Sequence, residues 1–286
     1  MATDESTLYG VQFSQNIMPK AQQGASKLLG TTMIKSGVVG KKFSQDQIGS
    51  WAVSPKSGRN ENSPVTDPNL ARRWCSMRDY HDGKLLDEVD NLKILSDPKS
   101  AYAVNAQKAL GRGIDDEIIT ALGASAYYGE DGTDSVALGT GQTVPAGTTG
   151  LTKAKILSAK LLFDEADVDE EGRFFIASPS GLQDMLGLTE VTSSDYNSVK
   201  ALVQGDIDTW LGFKWIFSTR LPLSSTTRSC YAYQRDGVCL GMAKAPTVET
   251  DKRADKCFSW YLYYSLNIGA VRLEEEKVVK VNIIES

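Results

Sequence analysis

Residue types that carry chemistry are sparse in this chain, and its single histidine is His81. His81 lies between Asp79 and Asp82, a spacing typical of a general base beside the carboxylate that orients it. The nearest nucleophiles, Cys75 and Ser76, lie on the same short segment and cannot easily fold back onto the imidazole. Mechanisms that need several histidines are excluded. We interpret His81 as an exposed loop residue.

Two loops match known ligand-binding loops only in part. Asp167, Asp169 and Glu171 have the alternate spacing of the first half of an EF-hand calcium loop, but Ser178 occupies the twelfth position and a strand is predicted to follow. Residues 139–147 are rich in glycine yet lack the lysine of a phosphate-binding loop. We predict a solvated acidic turn and a flexible turn, and no metal site.

Other carboxylates occupy neighbouring positions. Asp115, Asp116 and Glu117 follow one another on a predicted helix, where consecutive side chains point around the axis rather than towards each other. Asp206 and Asp208 precede an aromatic segment, and we interpret them as capping and solubilising residues. None of these groups makes a convincing active site, so the sequence predicts no catalytic residue and no cofactor.

The composition is that of an ordinary globular protein, with 286 residues of which 41% are hydrophobic and 23% charged. A net charge of -5 argues against binding nucleic acid by phosphate neutralisation over the whole surface, and leaves a local basic patch open. We find no apolar run long enough to span a membrane and no leader at the start, so we expect folding in a cytoplasm. The four cysteines lack paired spacing, which predicts reduced thiols.

The elements that position these residues begin with a long helix. Asp97 and Pro98 have the types expected of an N-cap and a first helical residue, and a stripe of apolar residues then recurs every four positions, predicting about 25 helical residues. Gly111 and Gly113 lie within it, where we expect close backbone packing rather than a break. The stripe consists of Tyr102, Ala106, Leu110, Ile114, Ile118 and Leu122.

The first 82 residues have little core of their own. Residues 1–40 are too sparsely apolar to bury a face alone, which predicts an arm that leans on something else. Residues 41–82 hold two segments that can pair as an extended hairpin around the polar, turn-rich residues 54–64. We predict a long projecting loop.

Helices and strands follow one another irregularly after residue 151. Helices are predicted from Leu151 and Thr152, at 181–186 and at 197–203, and an aromatic strand at 213–218 contributes to the core. This irregular order indicates an α+β fold with a mixed or antiparallel sheet. The remaining predicted strands are residues 173–178, 230–233, 237–242, 258–267 and 277–284.

An ordered series of motifs resembles the major capsid proteins of tailed bacteriophages. It starts with residues 95–102 (Leu-Ser-Asp-Pro-Lys-Ser-Ala-Tyr) and 109–116 (Ala-Leu-Gly-Arg-Gly-Ile-Asp-Asp). It continues with residues 173–179 (Arg-Phe-Phe-Ile-Ala-Ser-Pro), 195–213, and 268–272 (Ile-Gly-Ala-Val-Arg). No single block is diagnostic, but their order and spacing together carry the resemblance over about residues 70–280.

The resemblance implies a phage capsid fold with an N-terminal arm, an extended loop, a peripheral domain carrying a long spine helix, and an axial domain. Residues 1–40 would form the arm and 41–82 the extended loop. Residues 83–150 would form the peripheral domain and 151–229 the axial domain. Residues 230–286 would supply strands that return to the peripheral and axial sheets.

The implied function is structural rather than enzymatic: a major capsid protein that self-assembles into the icosahedral head around phage double-stranded DNA. Its implied partners are copies of itself as pentamers and hexamers, scaffolding and portal proteins, and decoration proteins. DNA would be enclosed without sequence specificity, and no membrane would be involved. The implied location is the virion, after assembly in the host bacterial cytoplasm.

The resemblance also selects candidate residues. Trp51, Arg59 and Phe43 are candidate intersubunit contacts, because aromatic residues and arginine are enriched at interfaces. The alternative is that Trp51 lies on the face of a strand in its own chain and that Arg59 is solvated. Some phages of this fold crosslink subunits through lysine and asparagine, but no such motif is recognisable in this loop. Candidate hinges that let identical chains adopt different environments are Gly37, Gly40, Gly111 and Gly113.

Two other classes stay open. An encapsulin-like compartment would use the same shell fold around cargo enzymes, without DNA or scaffold. A soluble enzyme would use the acidic turn or His81. Shells in electron micrographs favour the capsid, whereas a monomer under every condition favours the enzyme.

Overall fold

The computed structural model describes residues 21–63, 65–86, 99–187 and 209–285. Its α-helices in these residues are α1 Lys99–Gly123, α2 Lys153–Glu165 and α3 Pro179–Gly187. Its strands are β1 Met33–Ser36, β2 Lys42–Ile48, β3 Leu70–Ser76, β4 Arg78–Leu86, β5 Ala126–Tyr128, β6 Asp134–Val136, β7 Thr143–Val144, β8 Arg173–Ala177, β9 Thr209–Trp210, β10 Phe213–Phe217, β11 Leu223–Ser224, β12 Thr227–Gln234, β13 Val238–Arg253, β14 Ser259–Arg272 and β15 Val278–Ile284.

Helix α1 confirms the predicted long helix over 25 residues. The predicted apolar stripe is half-buried at Tyr102 and buried at Ala106, Leu110, Ile114, Ile118 and Leu122. The predicted start at residues 97–98 lies outside the described residues, as does the predicted helix at 197–203. The stripe therefore forms the face by which α1 packs onto the rest of the protein.

The chain divides into two compact units. Unit 1 consists of Met1–Ser26, Asp79–Gly113 and Lys244–Leu266, and unit 2 consists of Lys27–Arg78, Ile114–Ala243 and Asn267–Ser286. The two units are a property of the structure. The division into arm, loop, peripheral and axial domains stays a prediction.

A seven-stranded mixed sheet organises unit 2. Its order is β7-β15-β12-β8-β10-β9, with β11 paired to β12. Strands β8 and β10 are parallel, whereas β12 is antiparallel to both β8 and β15. This confirms the predicted mixed sheet and explains the irregular order of elements along the chain.

An aromatic cluster fills the core of this sheet. Phe175 stacks on Trp215 with ring centroids 4.5 Å apart, and Phe213 lies 5.9 Å from Phe175. Helix α2 closes the cluster with Phe163, whose ring lies 5.8 Å from that of Phe213. The helix starts where predicted, because the Thr152 side chain accepts the Lys155 backbone N–H at 3.4 Å.

Strands β2 and β3 confirm the predicted hairpin. They pair antiparallel from Phe43 opposite Cys75 to Ile48 opposite Leu70, and β5 and β6 extend the sheet in the order β2-β3-β5-β6. Residues 49–69 connect the two strands, without helix or strand in the positions that the structure describes. The hairpin is therefore anchored at its base and irregular at its far end.

The remaining sheet has the order β1-β13-β14-β4. In unit 1, Leu262 and Leu266 of β14 are buried, and the Tyr264 hydroxyl donates to the Asp82 carboxylate at 2.8 Å. Strand β13 runs to Arg253, well past the predicted end at residue 242. The sequence does not predict this extension because Pro246 interrupts it. Met242 is the last residue of β13 that pairs with β1. Pro246 lies beyond that pairing, where the N–H that proline lacks is not needed.

Candidate functional site

No described residue lies next to His81 as a nucleophile that its imidazole could activate. It lies exposed on β4, with its ring centroid 6.3 Å from that of Tyr263. The Asp82 carboxylate accepts the Gly83 N–H at 2.7 Å and the Tyr264 hydroxyl at 2.8 Å, and these hydrogen bonds lower the pKa of Asp82. Within the described residues, no hydrogen bond joins the imidazole to a nucleophile. His81 is exposed as predicted, but it lies on a strand and not in the predicted loop.

The acidic turn after α2 is shaped by two residues with positive φ. Asp167 adopts a left-handed conformation with φ of 51°, and Gly172 follows with φ of 75°. No group of three or more metal-binding side chains occurs among the residues that the structure describes. The glycine-rich residues 139–147 form a short 3-10 helix and strand β7 instead of a phosphate-binding loop.

The three consecutive carboxylates of α1 contact three different partners. Asp115 is fully buried and accepts the backbone N–H groups of Lys27 and Leu28, each at 3.1 Å. Asp116 pairs with Arg220, and Glu117 lies 3.6 Å from Arg78. The cluster therefore ties separate segments to α1; the other predicted pair, Asp206 and Asp208, lies outside the described residues.

The cysteines are free thiols, as predicted. Cys75, Cys230 and Cys239 are buried, and Cys257 is exposed. Burial raises the pKa of Cys75 and of Cys230 to about 12, and that of Cys239 to about 11. These three thiols are protonated packing groups at neutral pH.

The exposed far end of the β2–β3 hairpin is the strongest candidate for a functional surface. Its apolar side chains contact little of their own chain: Trp51 is 68% exposed and Val53 is 98% exposed. The strand ends are equally open, with Ile48 and Leu70 paired and both exposed. Contiguous exposed apolar residues on a projecting element indicate a binding surface.

The turn at this far end has its own local order. The Glu61 carboxylate accepts the Ser57 backbone N–H at 2.6 Å, the Ser57 hydroxyl at 2.9 Å and the Gly58 N–H at 3.2 Å. The hydrogen bonds from Ser57 lower the pKa of Glu61. Arg59, the second predicted contact residue, is exposed in this turn.

Phe43, the third predicted contact, is placed elsewhere. It is only 6% exposed and packs with Cys75, Cys239 and Val271 in a core cluster of unit 2. Its position at the base of the hairpin buries the ring against its own chain. The intersubunit prediction for Phe43 is therefore not carried forward, whereas Trp51 and Arg59 are placed where a neighbour can reach them.

The four predicted hinge glycines have different surroundings. Gly37 and Gly40, between β1 and β2, have φ of 71° and 104°, a region that favours glycine. A Cβ at Gly111 would lie 2.8 Å from the Ser26 backbone nitrogen, whereas a Cβ at Gly113 would meet nothing within 4 Å. Gly111 therefore marks the predicted close backbone packing, whereas that prediction is wrong for Gly113. The hinge role stays a prediction for all four.

Sequence reasoning missed two buried charges that hold the unit together. The sequence predicts only that Asp115 and its two neighbours point around the helix axis, and Arg272 enters only as part of a motif. Arg272 is fully buried and donates to the carbonyls of Leu122 at 3.2 Å, Ala124 at 2.7 Å and Val136 at 3.1 Å. One signal was present: Asp115 lies three residues before Ile118 and seven before Leu122, a spacing that places it on the buried face of α1.

No helix in the described part of the chain is both long and apolar enough to cross a membrane.

Solved capsid structures share this fold. The capsid of cyanophage P-SCSP1u matches with a TM-score of 0.74 at 15% identity, covering 100% of this chain and 96% of that one. The cyanophage Pam1 capsid asymmetric unit matches at 0.72 and 14%, covering 99% and 98%. The capsid of a native GTA particle matches at 0.70 and 12%, covering 98% and 96%. No curated protein matches the sequence.

The family comparison covers almost the whole chain. A family model described as phage capsid protein matches residues 6–285. The match includes the hairpin, the long helix and the seven-stranded sheet. This chain therefore belongs to the phage capsid protein family, and it is a structural component of a viral shell rather than an enzyme.

Proposed function

We propose that many copies of this chain close, through rings of five and six, into an icosahedral head around phage double-stranded DNA, and that the β2–β3 hairpin fastens neighbouring copies. The observation that carries the proposal is the exposed apolar surface of the hairpin, with Trp51 68% and Val53 98% exposed. Membership in the phage capsid family supports the shell.

The energetic reason is burial of that surface between copies. Covering apolar surface is worth about 25 cal/mol per Å², so a large aromatic such as Trp51 contributes on the order of 2 kcal/mol when a neighbour covers it. Each contact is weak alone. A closed shell repeats it in every subunit, and multivalency makes the assembly stable.

The remaining parts of the proposal concern partners and regions. Residues 1–40 serve as an arm, 83–150 as a peripheral domain and 151–229 as an axial domain, with 230–286 returning to both. Scaffolding, portal and decoration proteins are the expected protein partners. The net charge of -5 is suited to a shell whose inner surface encloses DNA without binding its phosphates.

Assembly with a scaffold tests this proposal. The full chain is produced with the neighbouring genes of its source phage and is examined by electron microscopy and sedimentation. We expect closed shells from the native chain, about tenfold fewer from Trp51→Ala, and near-native numbers from Trp51→Phe, which keeps most of the aromatic surface. A folded 31.1 kDa monomer under every condition would overturn the proposal.

A further inference from the structure

A groove with an apolar floor and an acidic rim lies on unit 2. It has a volume of about 860 Å³ and is enclosed by β1, the turn before β8 and the turn after β12. Met33 and Phe174 form a half-buried floor, and Ile34 beside them is 45% exposed. The rim holds four carboxylates and one guanidinium, those of Asp169, Glu170, Glu171, Asp236 and Arg235.

Hydrogen bonds between the two turns hold the groove in shape. The Arg235 N–H donates to the Gly172 carbonyl at 2.9 Å. The Gln234 side chain donates to the Glu171 carbonyl at 3.5 Å and accepts the Asp236 N–H at 2.9 Å. An occupant therefore binds walls that are already ordered, which lowers the entropic cost of binding.

The rim carries net negative charge, with four carboxylates against one guanidinium. None of its four carboxylates forms an ion pair with another residue in the described ranges. Negative charge beside an apolar floor selects an occupant that combines cationic and apolar side chains.

The hairpin tip, which we define as residues 51–63, has this combination. Trp51 supplies an exposed aromatic ring, and Lys56 and Arg59 supply exposed cations. The carboxylate of Glu61 is already hydrogen-bonded within the tip, so it competes little for those cations. Tip and groove thus complement each other in both charge and polarity.

The geometry points to the groove as the receptor for the hairpin tip of a second copy of this chain, with Lys56 and Arg59 facing the acidic rim and Trp51 covering the apolar floor. This inference rests on the proposed function, which brings many copies together. It adds the surface that the tip occupies and the charges that select it.

Thiol crosslinking between two variants that each carry one introduced cysteine tests the contact. Both are made in a Cys257→Ser background, because Cys257 is the exposed thiol of the described residues. Val53→Cys marks the tip and Ile34→Cys marks the groove. The two proteins are mixed, assembled with scaffold, and treated with a short bismaleimide. We expect covalent dimers in the mixture and none in either variant alone.

Charge reversal tests the same contact without any new thiol. We expect Lys56→Glu with Arg59→Glu to lower the yield of shells at least fivefold. Adding Glu170→Lys and Asp236→Lys should restore the yield to within twofold, because the charges are then complementary again. The matched control adds Asp131→Lys, an exposed acid in the turn between β5 and β6, and should restore nothing.

The outcomes separate this inference from the proposed function. If the native chain forms no shells with scaffold, the proposed function fails and the inference with it. Shells that show neither mixed dimers nor charge rescue overturn the inference alone. Crosslinking of Ile34→Cys to the scaffold instead of to Val53→Cys also overturns it, and assigns the groove to that partner.

Discussion

At the scale of single residues, Arg272 is the buried charge on which the end of α1 depends. Its guanidinium is bonded to three carbonyls and lies 3.5 Å from the Glu275 carboxylate. Burial lowers the pKa of Arg272, and attraction by Glu275 opposes that shift. We predict that Arg272→Ala lowers the free energy of unfolding by about 3–5 kcal/mol, because it leaves buried partners unpaired.

Urea unfolding of three variants checks this prediction. Arg272→Lys should fall between the native chain and Arg272→Ala, since an ammonium lacks the planar fork that reaches several carbonyls. Arg253→Ala is the control, because Arg253 forms an exposed pair with Asp255 and its loss should change stability little. Equal losses from Arg272→Ala and Arg253→Ala would contradict the role assigned to Arg272.

Glu285 makes stability depend on pH. Its carboxylate pairs with Arg228 at 2.8 Å and accepts the Ser178 hydroxyl. Burial alone would raise the pKa of Glu285, but the bonds to Arg228 and Ser178 outweigh it and lower the pKa below its usual 4.5. The charged carboxylate therefore stabilises the fold above its unfolded pKa, and this contribution is lost as the pH falls through the folded pKa.

We predict that Glu285→Gln is about 1 kcal/mol less stable than the native chain at pH 7, and that this difference shrinks as the pH falls below 4.5. Denaturant unfolding at a series of pH values measures it. A difference that stays constant down to pH 3 would show that the Glu285 charge does not act in this way.

At the scale of elements, we expect alanine substitutions at two glycines of α1 to change stability in opposite directions. A Cβ at Gly111 would lie 2.8 Å from the backbone of Ser26 and 3.1 Å from that of Ala25, whereas Gly113 faces open space. We predict that Gly111→Ala costs about 1–3 kcal/mol by displacing that segment. Gly113→Ala should stabilise the helix by about 0.5–1 kcal/mol. Thermal unfolding of the two variants checks both signs, and a shared sign would refute the packing at Gly111.

At the scale of the whole molecule, the same Gly113→Ala change tests the hinge. The boundary between the two compact units falls between Gly113 and Ile114. In the proposed shell, rings of five and of six would place identical chains in different environments, which a stiffer helix would accommodate less well. We predict a more stable subunit that forms about threefold fewer closed shells and more open sheets, counted in electron micrographs. Native numbers of closed shells would exclude a hinge at Gly113.

The sequence alone determined the element types and the family. The four-residue stripe of α1, the paired segments of the hairpin and the aromatic strand β10 are local patterns, because each reflects a periodicity that one face of one element imposes. The ordered motifs led to the capsid family in the same way. The polar β13 extension through Pro246 escaped prediction because its strand depends on a neighbour and not on its own pattern.

Only the tertiary structure decided which of these residues are buried and which are exposed. Phe43 and Trp51 are both aromatic residues of the predicted loop, yet one is buried in a core and the other is exposed, because β13 and β14 cover the base of the hairpin and not its far end. Asp115 and Asp116 are neighbours, yet they bind different segments. The groove joins β1 to two turns more than a hundred residues away, and such proximity follows from the folding of the sheets rather than from any local pattern.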